Sequence, residues 1–463
     1  MPDVQENKVL VVGAGLSGLA VACRLASQGY SVEVFEKNDY VGGKAHLLSL
    51  GEFTFDTGPS LFTMPDYVDE VFIQAGKNPR DYYQYKRLNT LCHYFYEDGL
   101  FLKASSEVQE FASEVEAKTK DTAEAVRAFL NHAAHLHRIS EPVFIQRSLH
   151  EWKNYLTPEV WYGLKHFSSM DTGISMEKAL TNYFNDPRIS QLFCRYATYN
   201  GSNPYAAPGT LNVIPHLEYG LGAYMPEGGI HAIPMALYRL ARELGVKFHL
   251  GQAVEEIVVD SNRIQGLRIN GKTIHGSKVI TNADVWPSYR NLMPQVKAPE
   301  KTLSAERSSS AFIFYWGIND SFPELDVHNI FFSADYRKEF GSLFDKKRLD
   351  EDPTVYVHVS SKVCEGHAPE GKENWFVMVN APQHTGQDWE ELAKHLRETI
   401  IAKLNRLLGK DIASRIVEEA TLSPLDIEQK TSSYGGSLYG SSSNDRFAAF
   451  LRHPNRHPKI KGL

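Results

Sequence analysis

The sequence has few cysteines, no long apolar run and no excess of positive charge. Its cysteines, Cys23, Cys92, Cys194 and Cys364, are scattered without a CxxC pair. They therefore indicate buried or incidental thiols of a reducing cytoplasm, not a disulfide framework or a metal site. No apolar stretch reaches the roughly 18 residues that cross a bilayer. The formal charge of -7 argues against non-specific nucleic-acid binding, which requires a basic surface.

What remains is the composition of an ordinary soluble globular protein. Hydrophobic residues make up 42% and charged residues 23% of the 463 positions. This length is too great for one compact core and sufficient for two or three. The polar residues 1–7 lead directly into an apolar segment, so we expect no secretory signal.

Residues 8–36 have the pattern of a strand, a glycine-rich turn, a helix and a second strand. Gly13, Gly15 and Gly18 follow an apolar run in GxGxxG order, and Glu36 stands 18 residues beyond Gly18. In such a unit the first glycine permits the tight turn, the second admits a pyrophosphate and the third lets the helix pack on the strand. A carboxylate at this distance accepts hydrogen bonds from ribose hydroxyls. The segment predicts a dinucleotide site.

A second glycine pair distinguishes a flavin dinucleotide from a nicotinamide one. Gly42 and Gly43 are followed by Lys44, and a backbone nest beside a cation suits the far phosphate of FAD. Gly58 and Pro59 then stand in an apolar frame, FTFDTGPSLF. No second GxGxxG follows a strand, so a separate NAD(P)H domain is not expected.

This order of motifs resembles the flavoprotein family that includes amine oxidases, protoporphyrinogen oxidase and carotenoid desaturases. Similarity to the bacterial carotenoid desaturases of the phytoene-desaturase type covers essentially the whole chain. It is carried by FDTGPSLFTMPDYVDEVF, HYFYEDG, SPLDIEQKTSSYGGSLYG and FLRHPNRHPKIKGL. Asp56-Thr57-Gly58-Pro59 followed by Met64 is most similar to the 3,4-desaturases of 1'-hydroxylated carotenoids. The resemblance implies that the cofactor is FAD.

The resemblance also implies the fold class and the domains. We expect an α/β protein with a Rossmann-like FAD-binding domain and a discontinuous α+β substrate domain. Residues 1–105, 220–310 and 425–463 would form the FAD-binding domain. Residues 106–219 and 311–424 would form the substrate and membrane-associating domain.

Within the FAD-binding domain, the resemblance implies that Val254 holds the adenine through backbone contacts and that Gly228 and Gly229 approach the isoalloxazine ring. The strand KVIT ends in Asn282-Ala283-Asp284. The expected cofactor-binding set is Gly13, Gly15, Gly18, Glu36, Lys37, Gly42, Gly43, Lys44, Gly58, Pro59, Gly228, Gly229, Val254, Asn282 and Asp284.

Two local elements are predicted from pattern alone. Residues 253–260 and 264–270 read as a hairpin across Ser261-Asn262. Residues after Asp388 form an amphipathic helix that Asp388 caps and Gly409 ends.

Relatives of this type continue beyond the equivalent of Gly462-Leu463 into a strand, a glycine-rich flavin loop and a final helix. Here the sequence stops at Leu463. Since that segment supplies backbone donors to the flavin, we expect this form of the chain to bind FAD poorly or to lack it.

The chemistry implied by the resemblance needs few catalytic groups. Desaturation would transfer a hydride to flavin N5, so the cofactor performs the difficult step. The allylic cation left beside a polyene loses its proton without a strong base. We therefore expect no paired-carboxylate or Ser-His-Asp site, but a tunnel lined by apolar and aromatic residues. Some aromatics between Trp152 and Tyr224, and in Ala311–Gly317, should line it.

Polar residues within the aromatic stretch are the remaining candidates. Arg147, His166 and Asp171 could bind a substrate hydroxyl or relay a proton. His132 and His135 share one helix face, but no acid completes a metal site, so no metal is expected.

The function implied is an FAD-dependent desaturase that introduces a C=C bond at C-3,4 of an acyclic, 1'-hydroxylated carotenoid. Such an enzyme would be cytoplasmic, peripherally associated with the inner membrane, and would pass electrons to a quinone or oxygen. Alternatives on the same fold are a phytoene desaturase, a carotenoid isomerase or oxygenase, and an amine oxidase. A prenyl-lipid carrier of the escort-protein type is a non-enzyme alternative, but a carrier needs no phosphate cradle.

Overall fold

The computed structural model describes residues 7–445 and 452–463. Its strands are β1 Lys8–Val12, β2 Ser31–Phe35, β3 Leu47–Leu50, β4 Phe53–Asp56, β5 Tyr85–Arg87, β6 Thr90–Phe95, β7 Phe101–Ser105, β8 Tyr224–Pro226, β9 Lys247–His249, β10 Glu256–Asp260, β11 Arg263–Ile269, β12 Lys272–His275, β13 Lys278–Thr281, β14 Ser310–Ile318, β15 His328–Phe331, β16 Val355–His358, β17 Glu373–Ala381 and β18 Ile416–Leu422.

The α-helices lie between and around these strands. They are α1 Leu16–Ser27, α2 Asp66–Gln74, α3 Val108–Lys118, α4 Ala123–Ser140, α5 Pro158–Lys165, α6 Met176–Leu180, α7 Pro187–Cys194, α8 Ile214–Tyr219, α9 Ala232–Glu243, α10 Val285–Pro287, α11 Glu300–Leu303, α12 Tyr336–Phe344, α13 Trp389–Leu408 and α14 Pro424–Thr431.

A parallel four-stranded sheet in the order β13-β1-β2-β9 forms the first core. Val11 of β1 pairs with Val34 of β2 and with Ile280 of β13. The central strand is almost wholly buried because helices cover a parallel sheet on its faces. Helix α1 connects β1 to β2 and packs against α9. The β-α-β unit predicted for residues 8–36 and the Rossmann-like α/β fold are thereby confirmed.

Strands β10, β11 and β12 form a small antiparallel sheet beside this core. Ser261 and Asn262 connect β10 to β11 with φ angles of 50° and 59°. Two successive positive φ angles give the turn a twist that matches the flanking strands. The predicted hairpin is therefore confirmed, although β10 begins at Glu256.

A seven-stranded sheet in the order β18-β14-β17-β16-β15-β6-β7 forms the second core. Helix α13 packs on one face of it, where Phe314 and Trp316 meet Leu396 and Ile400. The predicted caps of α13 are present. The Asp388 side chain accepts hydrogen bonds from two backbone N–H groups of the first turn, and Gly409 ends the helix with φ of 67°.

The predicted FAD-binding domain includes residues 1–105, but its last two strands belong to the second sheet. Strands β6 and β7 end at or before Ser105, and β6 pairs in parallel with β15, so that His93 is opposite Asn329. These two strands therefore extend the second sheet and not the first. The pairing is between segments far apart in sequence, which no local pattern reveals.

Helices α3 to α8 form a third layer beside the second sheet. Phe111, Phe129 and Phe193 are fully buried among them, and the ring of Phe193 contacts the rings of the other two. All of the cysteines are free and buried, in agreement with the sequence. Within the described ranges, no helix combines the length and apolar character needed to cross a membrane.

Candidate active site

A cleft of about 1790 Å³ opens at the carboxyl ends of β1, β2 and β13. Parallel strands end at one edge of the sheet, so the turn after β1, Glu36 after β2 and Asn282 after β13 all line this cleft. Helix α1 begins here with Gly15 as its N-cap and no side-chain capping bond. Its first N–H groups and the positive end of its dipole are therefore available to an anion such as a pyrophosphate.

The turn after β1 leaves no room for side chains. A Cβ on Gly15 would lie 2.8 Å from Nδ2 of Asn282, and a Cβ on Gly18 would lie 2.1 Å from the carbonyl oxygen of Gly13. Gly13 itself has φ of 95°, which favours glycine. The geometry agrees with the tight turn predicted at Gly13 and the close packing predicted at Gly18, and the approach of a pyrophosphate to Gly15 stays a prediction.

Glu36 is buried and fixed by the backbone around it. Its Oε2 accepts a hydrogen bond of 2.7 Å from the N–H of Ala14, and its Oε1 accepts bonds of 2.9 Å from the backbone and side-chain nitrogens of Asn38. A carboxylate oxygen can accept two hydrogen bonds. Oε2 therefore retains capacity for a ribose hydroxyl.

The second glycine pair packs directly on the first turn. The N–H of Gly42 donates to the carbonyl of Ala14 at 2.9 Å, and a Cβ on Gly43 would lie 3.2 Å from Cα of Gly15. Lys44 follows and donates from Nζ to the carbonyl of Leu438 at 2.7 Å. Burial lowers the pKa of Lys44 to about 8.

A buried ion pair between Asp284 and Arg307 forms part of the cleft wall. The Asp284 carboxylate also accepts a bond of 3.0 Å from the N–H of Trp286, and the Arg307 Nε donates to Ser437 Oγ at 3.1 Å. Sequence reasoning predicted Asp284 but missed Arg307. No motif surrounds Arg307, and only the tertiary fold brings it to the cleft.

A second cavity of about 830 Å³ adjoins the cleft. Gly43, Lys44, Pro59 and Tyr439 line both spaces, so the two meet at these residues. We call the larger space the cofactor cleft and the smaller one the substrate cavity.

The wall of the substrate cavity is one face of the second sheet. Ala311, Ile313 and Tyr315 of β14 line it, together with Tyr356 of β16 and Met378 of β17. Side chains alternate along a strand, so the intervening residues of β14 face α13 on the opposite side. Of the aromatics in Ala311–Gly317 that were predicted to contribute to the tunnel wall, only Tyr315 lines the cavity, and Phe312, Phe314 and Trp316 belong to the core under α13.

Comparison with known proteins identifies the family. Residues 16–430 match the flavin containing amine oxidoreductases. The chain is 43% identical, over 99% of its length and 93% of the relative, to a 1-hydroxycarotenoid 3,4-desaturase of Flavobacterium sp. (strain P99-3). It is 32% identical, over 100% of its length and 94% of the relative, to a 4,4'-diapolycopene oxygenase of Methylomonas sp. The structure of a putrescine oxidase with redesigned cofactor binding has a TM-score of 0.64 at 14% identity, and the match covers 98% of this chain and 92% of that one.

The chain belongs to the flavin-containing amine oxidoreductase family. Its cofactor is therefore FAD, and the cofactor cleft fits this group on its own geometry. The glycine turns provide a cradle that a Cβ would fill, α1 directs free N–H groups at the phosphates, and Glu36 retains an acceptor for a ribose.

Most of the other predicted FAD-binding residues of this family member line one of the two spaces. Lys37 lines the cofactor cleft, where its Nζ donates to the carbonyl of Gln429 at 2.6 Å. Val254 also lines the cofactor cleft, and Gly58 lines the substrate cavity. Their individual contacts with FAD remain predictions.

Gly228 and Gly229 line neither space among the described residues. They form the turn before α9, where Asp56 accepts bonds of 2.9 and 3.0 Å from the N–H groups of Ile230 and His231. Burial raises the pKa of Asp56. A Cβ on Gly229 would lie 2.6 Å from this carboxylate. The structure thus gives Gly229 a packing role beside Asp56.

The three polar candidates of the aromatic stretch lie away from both spaces. Arg147 donates to the carbonyl of Pro142 at 2.9 Å, His166 contacts the carbonyl of Tyr162, and Asp171 contacts Nε2 of His132 at 2.7 Å. None of the three lines either space. Their local partners explain their positions without a catalytic role.

The first aromatics of the stretch between Trp152 and Tyr224, up to Phe167, lie on the surface. Trp152 is 69% exposed and Trp161 is 63% exposed, and neither lines the substrate cavity. Among the aromatic residues between Trp152 and Tyr224, only Tyr199 lines it. Aromatic content alone could not distinguish a lining residue from a surface one.

Proposed function

We propose that the protein is an FAD-dependent carotenoid desaturase that introduces a C=C bond at C-3,4 of an acyclic, 1'-hydroxylated carotenoid. The observation that carries the proposal is the mostly apolar substrate cavity, which meets the cofactor cleft at Lys44, Pro59 and Tyr439. The 43% identity to a 1-hydroxycarotenoid 3,4-desaturase over nearly the whole chain supports the substrate class.

The lining of the substrate cavity agrees with a reaction that needs little acid or base. FAD, when bound, supplies an acceptor for a hydride, that is, for two electrons. Ile313, Tyr315 and Met378 would hold the polyene against the sheet and exclude water. In the described part of the chain, Glu218 is the only carboxylate of the lining, and it is paired with Arg195.

We also propose peripheral association with the inner membrane, because the substrate dissolves in lipid. A surface segment between residues 145 and 167 supports this proposal. Its exposed apolar residues, here called the 145–167 surface, are Ile145, Trp152, Tyr155, Leu156, Trp161, Tyr162, Leu164 and Phe167. Tryptophan and tyrosine favour the membrane–water interface, and exposed Lys153 and Lys165 suit anionic headgroups. Electrons would leave to a quinone or oxygen.

Pigment conversion in living cells tests the proposed reaction. The chain is expressed in cells supplied with phytoene, with an acyclic carotenoid, or with its 1'-hydroxylated form. We expect the hydroxylated pigment to lose two hydrogen atoms and to absorb at longer wavelength, because its conjugation is extended. Conversion of phytoene alone would contradict the substrate assignment. Addition of oxygen instead would favour an oxygenase, the activity named for the Methylomonas relative.

A further inference from the structure

A buried group of polar side chains lines part of the substrate cavity, although a hydrocarbon substrate needs none. We call it the polar cluster, and its members are Arg195, Tyr199, Glu218, His328, Tyr336 and Tyr356. Burying polar groups costs free energy unless they are hydrogen-bonded. The polar cluster must therefore either stabilise the fold through its own hydrogen bonds or bind a polar group of the substrate.

An ion pair between Arg195 and Glu218 forms one half of the cluster. Nη2 of Arg195 lies 3.4 Å from Oε2 of Glu218, which also accepts a bond of 2.6 Å from the Tyr196 hydroxyl. The hydroxyl of Tyr199 donates to the other oxygen of Glu218. Arg195 Nε donates to the Tyr94 hydroxyl at 2.9 Å. The charges cancel, so this half presents no net charge to the cavity.

His328, Tyr336 and Tyr356 form the other half. His328 Nδ1 is 2.7 Å from the Tyr356 hydroxyl, which is 2.8 Å from Ser60 Oγ. Burial, and the adjacent His358 and Arg195, hold the pKa of His328 well below its usual value, so the imidazole is neutral.

One member of the cluster has unused hydrogen-bonding capacity. Among the described residues, the hydroxyl of Tyr336 makes no hydrogen bond, and Tyr336 lines the cavity. His328 Nε2 also lacks a partner, but it is enclosed by protein, as are the unpaired Nε2 atoms of His93 and His358. Both halves of the cluster line the same cavity.

We propose that the polar cluster binds the hydroxyl group at the end of the carotenoid, with Tyr336 as its hydrogen-bonding partner. This inference rests on the function proposed above and names the part of the substrate that the cavity selects. A neutral hydroxyl suits a cluster without net charge. A protonated amine would instead require an unpaired carboxylate, and the only carboxylate of the polar cluster, Glu218, is paired with Arg195.

The expected selectivity follows from the cost of unpaired polar groups. A site built to bond a substrate hydroxyl discriminates against an analogue that lacks it, because the buried groups of the protein then stay unpaired. We expect the wild-type enzyme to prefer the 1'-hydroxylated pigment over its non-hydroxylated analogue by roughly 10- to 100-fold in kcat/KM.

The test compares Tyr336→Phe with the wild type on both pigments. We expect kcat/KM for the hydroxylated pigment to fall roughly tenfold or more in this variant, while the value for the analogue is unchanged. Tyr238→Phe is the matched control, because Tyr238 lies on α9 and lines neither space. A second readout is the dissociation constant of the already desaturated pigments, which bind to the holoenzyme without reacting.

The outcomes separate this inference from the proposed function. Loss of selectivity in Tyr336→Phe, in both kcat/KM and product binding, supports it. An equal loss for both pigments assigns the cluster a structural role and overturns it. Equal use of both pigments by the wild type also overturns it but leaves the desaturase proposal intact. Conversion of neither pigment overturns both.

Discussion

The glycine turn after β1 packs against the side chain of Asn282. The N–H of Asn282 donates to the carbonyl of Val12 at 2.8 Å, which fixes the end of β13 beside β1. Its side-chain Nδ2 then lies 2.8 Å from the Cβ position of Gly15 and 3.2 Å from that of Gly18. The turn therefore needs residues without side chains for two reasons. Asn282, which follows a distant strand, packs against it, and the phosphates of the cofactor are expected to approach it.

Substitution of Gly15 tests this fit. In Gly15→Ala the new methyl group would lie 2.8 Å from Nδ2 of Asn282, so that either the amide or the turn must shift into the phosphate path. We expect the affinity for FAD to fall at least tenfold, or by about 1.4 kcal/mol, measured by flavin titration of the purified protein.

Gly173→Ala is the control for this substitution. No heavy atom lies within 4 Å of a Cβ on Gly173, and its φ is not positive. The control should retain the flavin affinity of the wild type. Unaltered affinity in Gly15→Ala would mean that Asn282 is not held in place.

Residues of the site differ in how far the sequence could predict them. The glycines and Glu36 were predictable because one β-α-β unit brings them together within a short span of chain. Arg307 and the Arg195–Glu218 pair were not, because each stands in a segment without a motif. A buried arginine is recognisable only when the fold shows which acid neutralises it.

At the scale of elements, a single acid ties α12 to the second sheet. Glu339 of α12 accepts bonds of 2.7 Å from the hydroxyls of Ser333 and Thr354, which stand after β15 and before β16. It also accepts a bond of 3.1 Å from the N–H of Thr354. Burial raises the pKa of Glu339 to about 7, although these hydrogen bonds oppose the shift.

The raised pKa of Glu339 predicts a pH-dependent stability. The folded state keeps a proton that the unfolded state releases above its ordinary pKa of 4.5. The stabilisation that protonated Glu339 gives to the folded state is therefore complete below pH 4.5 and is lost as the pH rises through about 7. Between pH 5 and pH 8 we expect the wild type to lose about 2 to 3 kcal/mol of unfolding free energy relative to Glu339→Gln.

Denaturant unfolding of both proteins across this pH range measures the difference. Gln can accept the Thr354 bond and donate to a hydroxyl, and it does not titrate. Glu398→Gln on the exposed face of α13 is the control and should follow the wild type at every pH. A constant difference between the wild type and Glu339→Gln would contradict the proposed titration.

Elements defined by neighbouring residues were predictable, whereas long-range pairing was not. The β10–β11 hairpin and α13 each carry their turn or cap residues within the segment itself. The place of β6 and β7 in the second sheet depends on pairing with β15, far along the chain. Strand β14 is an intermediate case, since its aromatic residues were recognisable in the sequence but not which of them face the cavity.

At the scale of the whole molecule, the chain carries a polar cofactor cleft, a mostly apolar substrate cavity and an apolar surface. The formal charge of -7 would by itself repel an anionic membrane. The proposed binding to lipid would therefore depend on local features, and the 145–167 surface offers a group of exposed aromatic side chains. Large exposed apolar side chains of this kind mark an interaction site.

Vesicle binding tests the role of this surface. In Trp152→Ser combined with Trp161→Ser, two large interfacial side chains are lost, each worth about 1.5 to 3 kcal/mol when buried. We expect co-sedimentation with phosphatidylethanolamine–phosphatidylglycerol vesicles to weaken at least tenfold. Flavin content and turnover of detergent-dispersed pigment should stay at wild-type values, because neither tryptophan lines the cofactor cleft or the substrate cavity.

The matched control changes exposed apolar residues elsewhere on the molecule. Ile73 on α2 is 62% exposed and Val417 on β18 is 50% exposed, and both lie outside the 145–167 surface. Ile73→Ser combined with Val417→Ser should therefore bind vesicles as the wild type does. If instead both pairs weaken binding equally, the attraction is a general property of exposed apolar area and the 145–167 surface has no special role. If neither pair does, the lipid contact lies on another face.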